Sequence, residues 1–265
     1  MDALTFLGTA CGLPMVDRTH TSLLLEAGGR RWLLDAGEPC SHRLKVLDVK
    51  FSSLDAVFIS HGHSDHISGL PMLIQGAWLE GRSRPLPVYL PGELIGPLRA
   101  WLEAVYLPEK LIGFPIEFHA WETLPGRAVE LDGGQLRLSV HPTTHLDGLR
   151  TLIDPAAADR FLAYSMVLEW PGAGKRLVYS ADLGLPQDLE AALTQPTDLL
   201  VCEMSHFEPP ELFAYLQGKP IGRLLLTHLT ARFGAQTEEI CRTGAEMIPA
   251  LAEVRAMRDG DRVEF

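Results

Sequence analysis

The sequence has few of the features that mark secreted, membrane or nucleic-acid-binding proteins. It contains four cysteines, Cys11, Cys40, Cys202 and Cys241, with no C-x-x-C pair, so neither a zinc ribbon nor a thioredoxin-like motif is present. The N-terminus lacks the basic start and apolar run of a signal peptide, and no apolar stretch approaches the length of a membrane span. We therefore expect a cytoplasmic protein with no membrane partner.

Basic residues are also scarce, since 23 Lys and Arg stand against 34 Asp and Glu, for a net charge of −11. A broad nucleic-acid surface needs clustered Lys and Arg, so the charge disfavours nucleic acid as a partner without excluding it. A small anionic substrate remains compatible, because bound metal ions can dominate the field inside one pocket. The apolar fraction of 46% is enough for a substantial core in a chain of 265 residues.

The hydrophobic pattern alternates between strand-like and helical runs, which predicts two packed sheets with helices outside. Two stretches read as irregular, 108–115 and 147–160, either as loops over a site or as surface connections. Strands are predicted at 4–7, 22–26, 32–34, 56–60, 136–140, 165–169, 177–180, 199–202 and 224–227. Helices are predicted at 67–78, 94–106, 187–193, 211–216 and 237–248.

The strongest chemical signal is a cluster of metal-ligand side chains directly after the predicted strand 56–60. Three imidazoles and one carboxylate, His61, His63, Asp65 and His66, lie within six residues and suit divalent metals, zinc above all. Residues two apart in an extended chain point to the same side, so His61 and His63 can bind one ion. Asp65 and His66 lie near a helix start and can bind a second ion.

Six residues cannot complete two metal coordination shells, so further ligands must come from other strand ends. Three ligand-type residues, His145, Asp182 and His228, each follow an apolar run where a sheet edge opens to a cleft. Asp35 also ends a strand, where it could orient a ligand imidazole or cap a turn before Gly37. We interpret His141, in the same region as His145, as structural.

In order along the chain, Asp35, the His-x-His-x-Asp-His run, His145, Asp182 and His228 resemble the five motifs of the metallo-β-lactamase superfamily. The resemblance implies one αββα domain over 1–265, with Asp35 orienting a ligand. It implies that His61, His63 and His145 hold one ion and that Asp65, His66 and His228 hold the other, with Asp182 bridging. The implied ions are two divalent metals, zinc first, with manganese or iron as alternatives.

Two branches of the superfamily are most similar in motif. The opening 4–9 and the run 225–228 resemble ribonuclease Z, whereas 180–186 and 202–206 resemble the phosphoribosyl cyclic phosphodiesterase of phosphonate breakdown. The chain lacks the His-Ser-Thr run and the Lys-rich arm of the first branch, and the cysteine-rich zinc site of the second. Because both branches cleave phosphodiesters, a phosphodiesterase acting on small or cyclic phosphodiesters is the favoured interpretation.

In that interpretation two metals share a water, lower its pKa toward about 7 and make a bridging hydroxide the nucleophile. Asp65 and His206 are the predicted catalytic residues, with His206 donating a proton to the leaving group and Ser205 and Glu203 as weaker supporting candidates. His206 could equally be a surface histidine.

Three alternatives on the same site are a ribonuclease Z-like RNA 3′-processing nuclease, a lactonase or thioesterase, and a di-iron redox protein. Di-iron relatives carry glutamate at the position of His63, so the histidine favours hydrolysis. A binding protein with a decayed site is a fourth alternative, disfavoured by the full ligand set. The sequence leaves a homodimer open.

Overall fold

The computed structural model describes residues 2–265, which divide into two compact units. The first comprises residues up to Leu124 together with Asp259–Glu264, and the second comprises Pro125–Arg258 with Phe265. Each unit is built on one seven-stranded mixed sheet. Most of the predicted site residues lie at or just beyond the ends of strands, so the strand directions decide which side chains come together within each unit.

The sheet of the first unit has the order β14-β1-β2-β3-β4-β5-β6. Strands β3 to β6 are parallel, and Leu34 of β3 pairs with Phe58 of β4. Since the carboxyl ends of parallel strands lie at the same edge of a sheet, Asp35 and the segment after β4 lie close together at that edge. The strands are β1 (Ala3–Gly8), β2 (Ser22–Ala27), β3 (Arg30–Leu34), β4 (Ala56–Phe58), β5 (Leu86–Leu90), β6 (Ile116–Ala120) and β14 (Arg262–Glu264).

Helices of the first unit pack on its sheet through apolar side chains. Leu44, Leu73, Ile74 and Leu98 join one buried cluster with strand residues such as Val57. Burying aliphatic side chains of this size stabilises the fold by about 1.5–3 kcal/mol each. The helices are α1 (Cys40–Val46), α2 (Ser64–Ile67), α3 (Leu70–Leu79), α4 (Ile95–Ala104) and α5 (Glu109–Ile112).

The sheet of the second unit has the order β13-β12-β11-β10-β9-β8-β7, with β10 to β13 parallel. Its parallel strands again end together, which places the segments after β10 and β11 beside the end of β12. The strands are β7 (Ala128–Leu131), β8 (Leu136–Pro142), β9 (Tyr164–Trp170), β10 (Lys175–Tyr179), β11 (Thr197–Met204), β12 (Ile221–Leu229) and β13 (Glu253–Ala256).

The second unit has its own apolar core. Leu212 and Phe213 from one helix and Ile240 from another pack with strand residues such as Val178 and Leu224. The helices are α6 (Asp147–Ile153), α7 (Pro209–Leu216), α8 (Ala231–Gly234) and α9 (Thr237–Met247).

The structure departs from the sequence prediction at several elements. The predicted helix 67–78 corresponds to α3, which begins only at Leu70 with Pro71 in its first turn, while Ile67 ends the separate short helix α2. The predicted helix 187–193 is wrong beyond a short 3₁₀ turn, Pro186–Leu189. The irregular stretches 108–115 and 147–160 contain α5 and α6.

The four cysteines are free thiols. Burial raises the pKa of the Cys40 and Cys202 thiols well above the ordinary range, so both behave as small apolar core residues. Within residues 2–265, no helix combines the length and the apolar character that a membrane crossing requires.

Candidate metal centre

In the first unit, the chain between β4 and α2 carries the histidine cluster. His61 and His66 are fully buried, with ring centroids 4.2 Å apart, and the His63 ring lies 4.8 Å from that of His61. Asp65 is 6% exposed and, like His66, belongs to the short helix α2. The segment therefore gathers all four predicted ligands of the first unit at the end of one buried strand.

Gly62 separates the first two histidines for a steric reason. The sequence suggests that this glycine permits a tight turn, but it is not among the residues with positive φ. Instead, a Cβ at this position would lie 2.7 Å from Cδ2 of Leu94. Any larger residue would push Leu94 away or displace the two flanking imidazoles.

Asp35 orients the histidine cluster through hydrogen bonds. Its carboxylate is fully buried and accepts hydrogen bonds from the Ser60 backbone N–H at 2.8 Å and from the Ser60 hydroxyl at 2.9 Å. Nδ1 of His66 lies 2.8 Å from the same carboxylate, and Nδ1 of His61 lies 3.0 Å from the Ser60 hydroxyl. Both imidazoles can thus donate through Nδ1, which leaves Nε2 with the lone pair that a metal needs.

Trp121 fixes the strand that leads into the cluster. Its indole N–H donates to the Ile59 carbonyl at 3.0 Å, two residues before His61, and the side chain is fully buried. The ring also stacks on Phe58 and Tyr89. A buried carbonyl at the point where β4 ends is thereby satisfied, which restrains the backbone that carries the histidines.

The hydrogen-bonded chain from Asp35 through the Ser60 hydroxyl to His61, here called the serine relay, supports a specific prediction. Ser60→Ala removes the hydroxyl that joins Asp35 to His61, so we expect zinc affinity to fall about 10–100-fold, the usual cost of losing a group that orients a ligand. A chelator-dye competition titration measures this, with Ser60→Thr as the variant that keeps the hydroxyl. Ser53→Ala, whose hydroxyl donates to the Lys50 carbonyl and accepts from Arg31, is the matched control. Equal affinities for the alanine variants would contradict the relay.

In the second unit, one carboxylate faces two histidines. Asp182 is 2% exposed and follows β10, with Oδ2 lying 3.5 Å from Nε2 of His145. Its other oxygen, Oδ1, lies 3.4 Å from Nε2 of His228, which is 3% exposed near the end of β12. Each oxygen of Asp182 therefore faces a different imidazole, an arrangement suited to a carboxylate that bridges two ions.

Glu203 holds the second unit's cluster much as Asp35 holds the first. This fully buried carboxylate accepts from the Leu183 N–H at 2.9 Å, next to Asp182, and from the Ser205 hydroxyl at 2.8 Å. The Ser205 hydroxyl lies 2.9 Å from Nδ1 of His228, which repeats the relay of carboxylate, serine and imidazole. The serine thus fixes Nε2 of His228 on the side of Asp182.

His206 is the exposed member of the group. Its Nδ1 lies 2.6 Å from Oε1 of Glu203, and its side chain is 34% exposed. Its ring centroid lies 4.6 Å from that of His145 and 5.8 Å from that of His228. The ring is therefore anchored through Nδ1 by a buried carboxylate while part of it still meets solvent.

Backbone strain marks three positions at these strand ends. Asp35, Ala181 and His228 have φ of 57°, 47° and 53°, a left-handed conformation that costs a residue with a side chain roughly 1–2 kcal/mol. His228 is a ligand candidate, Asp35 hydrogen-bonds to the ligand candidate His66, and Ala181 directly precedes Asp182. Such strain persists where the surrounding contacts fix the backbone, as the hydrogen bonds of Asp35 do here.

The donor set fits divalent metal ions. Two ligands of one tetrahedral zinc ion, each with a bond of about 2.0–2.1 Å, are separated by about 3.3–3.4 Å. The separations of 3.4 and 3.5 Å between Asp182 and the two Nε2 atoms, and of 3.5 Å between Nε2 of His66 and Oδ2 of Asp65, match that spacing. Imidazole and carboxylate are also the ligands that zinc and related ions prefer.

Every predicted site residue thus lies in one of two clusters. The first unit brings together Asp35, His61, His63, Asp65 and His66, and the second brings together His145, Asp182, His206 and His228. Sequence reasoning missed Ser60 and Trp121. The position of Ser60 directly before His61 was the available signal, whereas the contact of Trp121 joins residues 62 positions apart.

Comparison with known proteins identifies the family. A family model described as a beta-lactamase superfamily domain matches residues 30–229. A ribonuclease Z from Bradyrhizobium sp. (strain ORS 278) is 28% identical over 99% of this chain and 99% of its own length. A ribonuclease Z from Pseudomonas putida (strain KT2440) is 30% identical over 87% of this chain and 85% of its own length.

Solved structures agree on the fold. The human short-form tRNase Z superposes with a TM-score of 0.72 at 20% identity, covering 99% of this chain and 98% of that one. A diphosphatase of the PhnP family superposes with a TM-score of 0.70 at 18% identity, covering 100% and 98%. Another neighbour is a metallo-beta-lactamase fold protein from Bacillus subtilis, with a TM-score of 0.73 at 20% identity and coverage of 99% and 98%. The predicted fold class is confirmed.

The chain therefore belongs to the beta-lactamase superfamily, and it is a metal-dependent hydrolase. The expectation that nucleic acid is disfavoured as a partner is not supported, because the relatives that match over most of the chain are ribonucleases. Overall charge averages over surfaces that do not meet a substrate, so it does not decide whether nucleic acid is a partner.

Proposed function

We propose that the protein is a phosphodiesterase of the ribonuclease Z type that works with two divalent metal ions, zinc by preference. The observation that carries the proposal is the Asp182 carboxylate, each of whose oxygens faces a different ligand imidazole. The near full-length similarity to ribonuclease Z sequences supports phosphodiester chemistry over carbonyl hydrolysis.

The ligand assignment follows the superfamily pattern. We assign one ion to His61, His63 and His145 and the other to Asp65, His66 and His228. Asp182 would be shared by the two ions. The contacts inside each unit support these three histidines as ligands, because the Nδ1 atoms of His61, His66 and His228 all meet a hydroxyl or carboxylate, which favours the tautomer whose Nε2 carries the lone pair that binds a metal.

When bound, two such ions would activate a water and neutralise charge on the phosphoryl oxygens. The chain's own residues then orient the attacking water and the ligands, and they transfer protons. The Asp65 carboxylate, 6% exposed, can accept a hydrogen bond from the attacking water in addition to binding metal. Asp35 and Glu203 hold the imidazoles in one tautomer, so the ligand set needs little rearrangement.

His206 is the proposed proton donor to the leaving group. The buried Glu203 carboxylate at 2.6 Å from Nδ1 stabilises a protonated ring, as a carboxylate behind a catalytic histidine does. The side chain is 34% exposed, so we infer that a substrate can reach the ring. Glu203 belongs to the same proposal as the residue that positions His206.

RNA is the substrate that the relatives favour, and a small or cyclic phosphodiester is the second candidate. The run Cys202 to His206 resembles the cyclic phosphodiesterase branch, and the Glu203–His206 contact lies inside it. Similarity to a PhnP-family diphosphatase supports the fold of that branch. The acidic composition fits a protein that makes few phosphate contacts outside the site.

A substrate panel tests the proposal with zinc-loaded protein. We expect cleavage of a precursor tRNA at one 3′ position together with hydrolysis of bis(p-nitrophenyl) phosphate, both lost in His61→Ala. Hydrolysis of 2′,3′-cyclic nucleotides without any cleavage of RNA would favour the second candidate. Turnover of lactones or thioesters without any phosphodiester would contradict the proposal.

A further inference from the structure

Two segments of the second unit, 143–145 and 182–185, meet backbone to backbone. The first segment ends with a predicted metal ligand and the second begins with one. A Cβ added to Gly184 would lie 2.2 Å from the Thr144 hydroxyl oxygen and 2.8 Å from the Thr144 carbonyl carbon. Gly184 is not among the residues with positive φ, so the close approach of the two segments, and not a turn, requires glycine there.

The carboxylate of Asp188 joins these two segments through hydrogen bonds. Its Oδ2 accepts from the Thr144 backbone N–H at 2.9 Å and from the Gly184 backbone N–H at 2.8 Å. The Thr144 hydroxyl donates to the same carboxylate, with its oxygen 3.1 Å from Oδ1 and 3.0 Å from Oδ2. Because hydrogen bonds to an ionised group are roughly twice as strong as neutral ones, this one side chain can hold both segments in place.

A second contact links the same segments in the interior. Thr143 is buried, and its hydroxyl donates to the Asp182 carbonyl at 2.9 Å. Both threonines before His145 thus bond to the chain that follows β10. A shift where the segments meet would therefore change the separation of 3.5 Å between Nε2 of His145 and Oδ2 of Asp182.

We propose that Asp188 is a positioning residue, which sets the placement of His145 and Asp182 for metal binding. The inference rests on the proposed function, in which these two side chains hold an ion. Asp188 lies in the 3₁₀ turn Pro186–Leu189, shortly after Asp182 in the chain. Its carboxylate fixes the backbone of both segments, and the backbone in turn fixes the two ligand side chains.

Zinc titration of Asp188→Ala against a chelating dye tests the proposal. The variant should bind zinc about tenfold less tightly, the lower end of the usual cost of losing an orienting group, since Asp188 acts through the backbone. Asp198→Ala is the matched control, because Oδ2 of Asp198 also accepts from a backbone N–H, that of Arg176, at 2.7 Å. Asp198 and Arg176 lie near the starts of β11 and β10, whereas Asp182 follows the end of β10, so this variant should keep the wild-type affinity.

The close approach of the segments is tested with a second pair of variants. Gly184→Ala would drive a Cβ into Thr144, so zinc affinity should fall at least as far as in Asp188→Ala. Gly172→Ala, in a turn of the same unit where a Cβ would meet nothing within 4 Å, should have no effect.

Thr144 supplies a test of the hydrogen bonds themselves. Thr144→Val removes the hydroxyl and should weaken zinc binding about two- to tenfold, whereas Thr144→Ser should retain the wild-type affinity. In the Asp188→Ala background, Thr144→Val should cost nothing further, because its hydroxyl has lost its partner.

Equal zinc affinities in Asp188→Ala and Asp198→Ala would overturn the inference, as would an equal cost of Thr144→Val in both backgrounds. Hydrogen exchange of the Thr144 and Gly184 amides in metal-free protein is measured in parallel. Asp188→Ala should accelerate this exchange, and Asp198→Ala should not. If the wild type binds no zinc, the proposed function fails, while unchanged exchange in Asp188→Ala would by itself contradict the positioning role.

Discussion

Replacing Asp182 by alanine is expected to weaken metal binding at both positions, by more than about 100-fold at each. Loss of a group that merely orients a ligand already costs about 10–100-fold, so loss of a shared ligand should cost more. The physical reason is the placement of Oδ2 3.5 Å from Nε2 of His145 and of Oδ1 3.4 Å from Nε2 of His228. One side chain would thus neutralise charge at both metal positions.

Zinc titration by calorimetry separates this outcome from the loss of a terminal ligand. His228→Ala should weaken one binding event and leave the other nearly intact. His141→Gln serves as a control, since this half-buried histidine in β8 carries a pKa lowered by burial and by Arg176 and is not among the predicted ligands. If Asp182→Ala and His228→Ala each lost the same one of the two zinc-binding events, Asp182 would not be a ligand shared by both ions.

His206→Ala is expected to retain its metals and yet lose about 10²–10⁴-fold in kcat on substrates with poor leaving groups. Activated aryl esters should be affected much less, because a nitrophenolate needs no proton to depart. A packing defect would lower both activities together. The comparison of RNA with bis(p-nitrophenyl) phosphate therefore isolates proton donation.

Metal content of the same variant decides between two roles. Asp182, His206 and His228 can bring one ligand atom each within 4.8 Å of one another, so His206 could also bind an ion. Loss of one zinc ion in His206→Ala would show that His206 is a metal ligand and would contradict its role as proton donor. Retention of zinc with unchanged turnover of both substrates would leave it a surface residue.

Local patterns in the sequence predicted the ligand candidates because metal sites concentrate unusual residues at strand ends. The run from His61 to His66 is contiguous, and Asp35, Asp182 and His228 each lie at or just beyond the end of an apolar strand. The groups that orient them were harder to find. Ser60 is linked to Asp35 by a contact between residues 25 positions apart, which the sequence does not reveal, whereas Ser205 lies two positions from Glu203 and was already a weaker candidate from the sequence.

The errors in secondary structure also have physical causes. Strand β5 is not among the predicted strands, and it contains Pro87, a residue that sequence rules assign to edge strands, although β5 pairs on both sides, with β4 and with β6. The predicted helix 187–193 fails because Asp188 accepts hydrogen bonds from the backbone of Thr144 and Gly184, which closes a short turn. The Thr144 contact joins residues 44 positions apart, far outside the window from which a helix is predicted.

The most direct test of the metal-dependent account is the metal content of purified protein by elemental analysis, before and after reconstitution with zinc, manganese or iron. We predict two equivalents of divalent metal per chain in the wild type after reconstitution, and a clear deficit in Asp182→Ala. Wild-type protein that retains no transition metal after reconstitution would contradict the central claim.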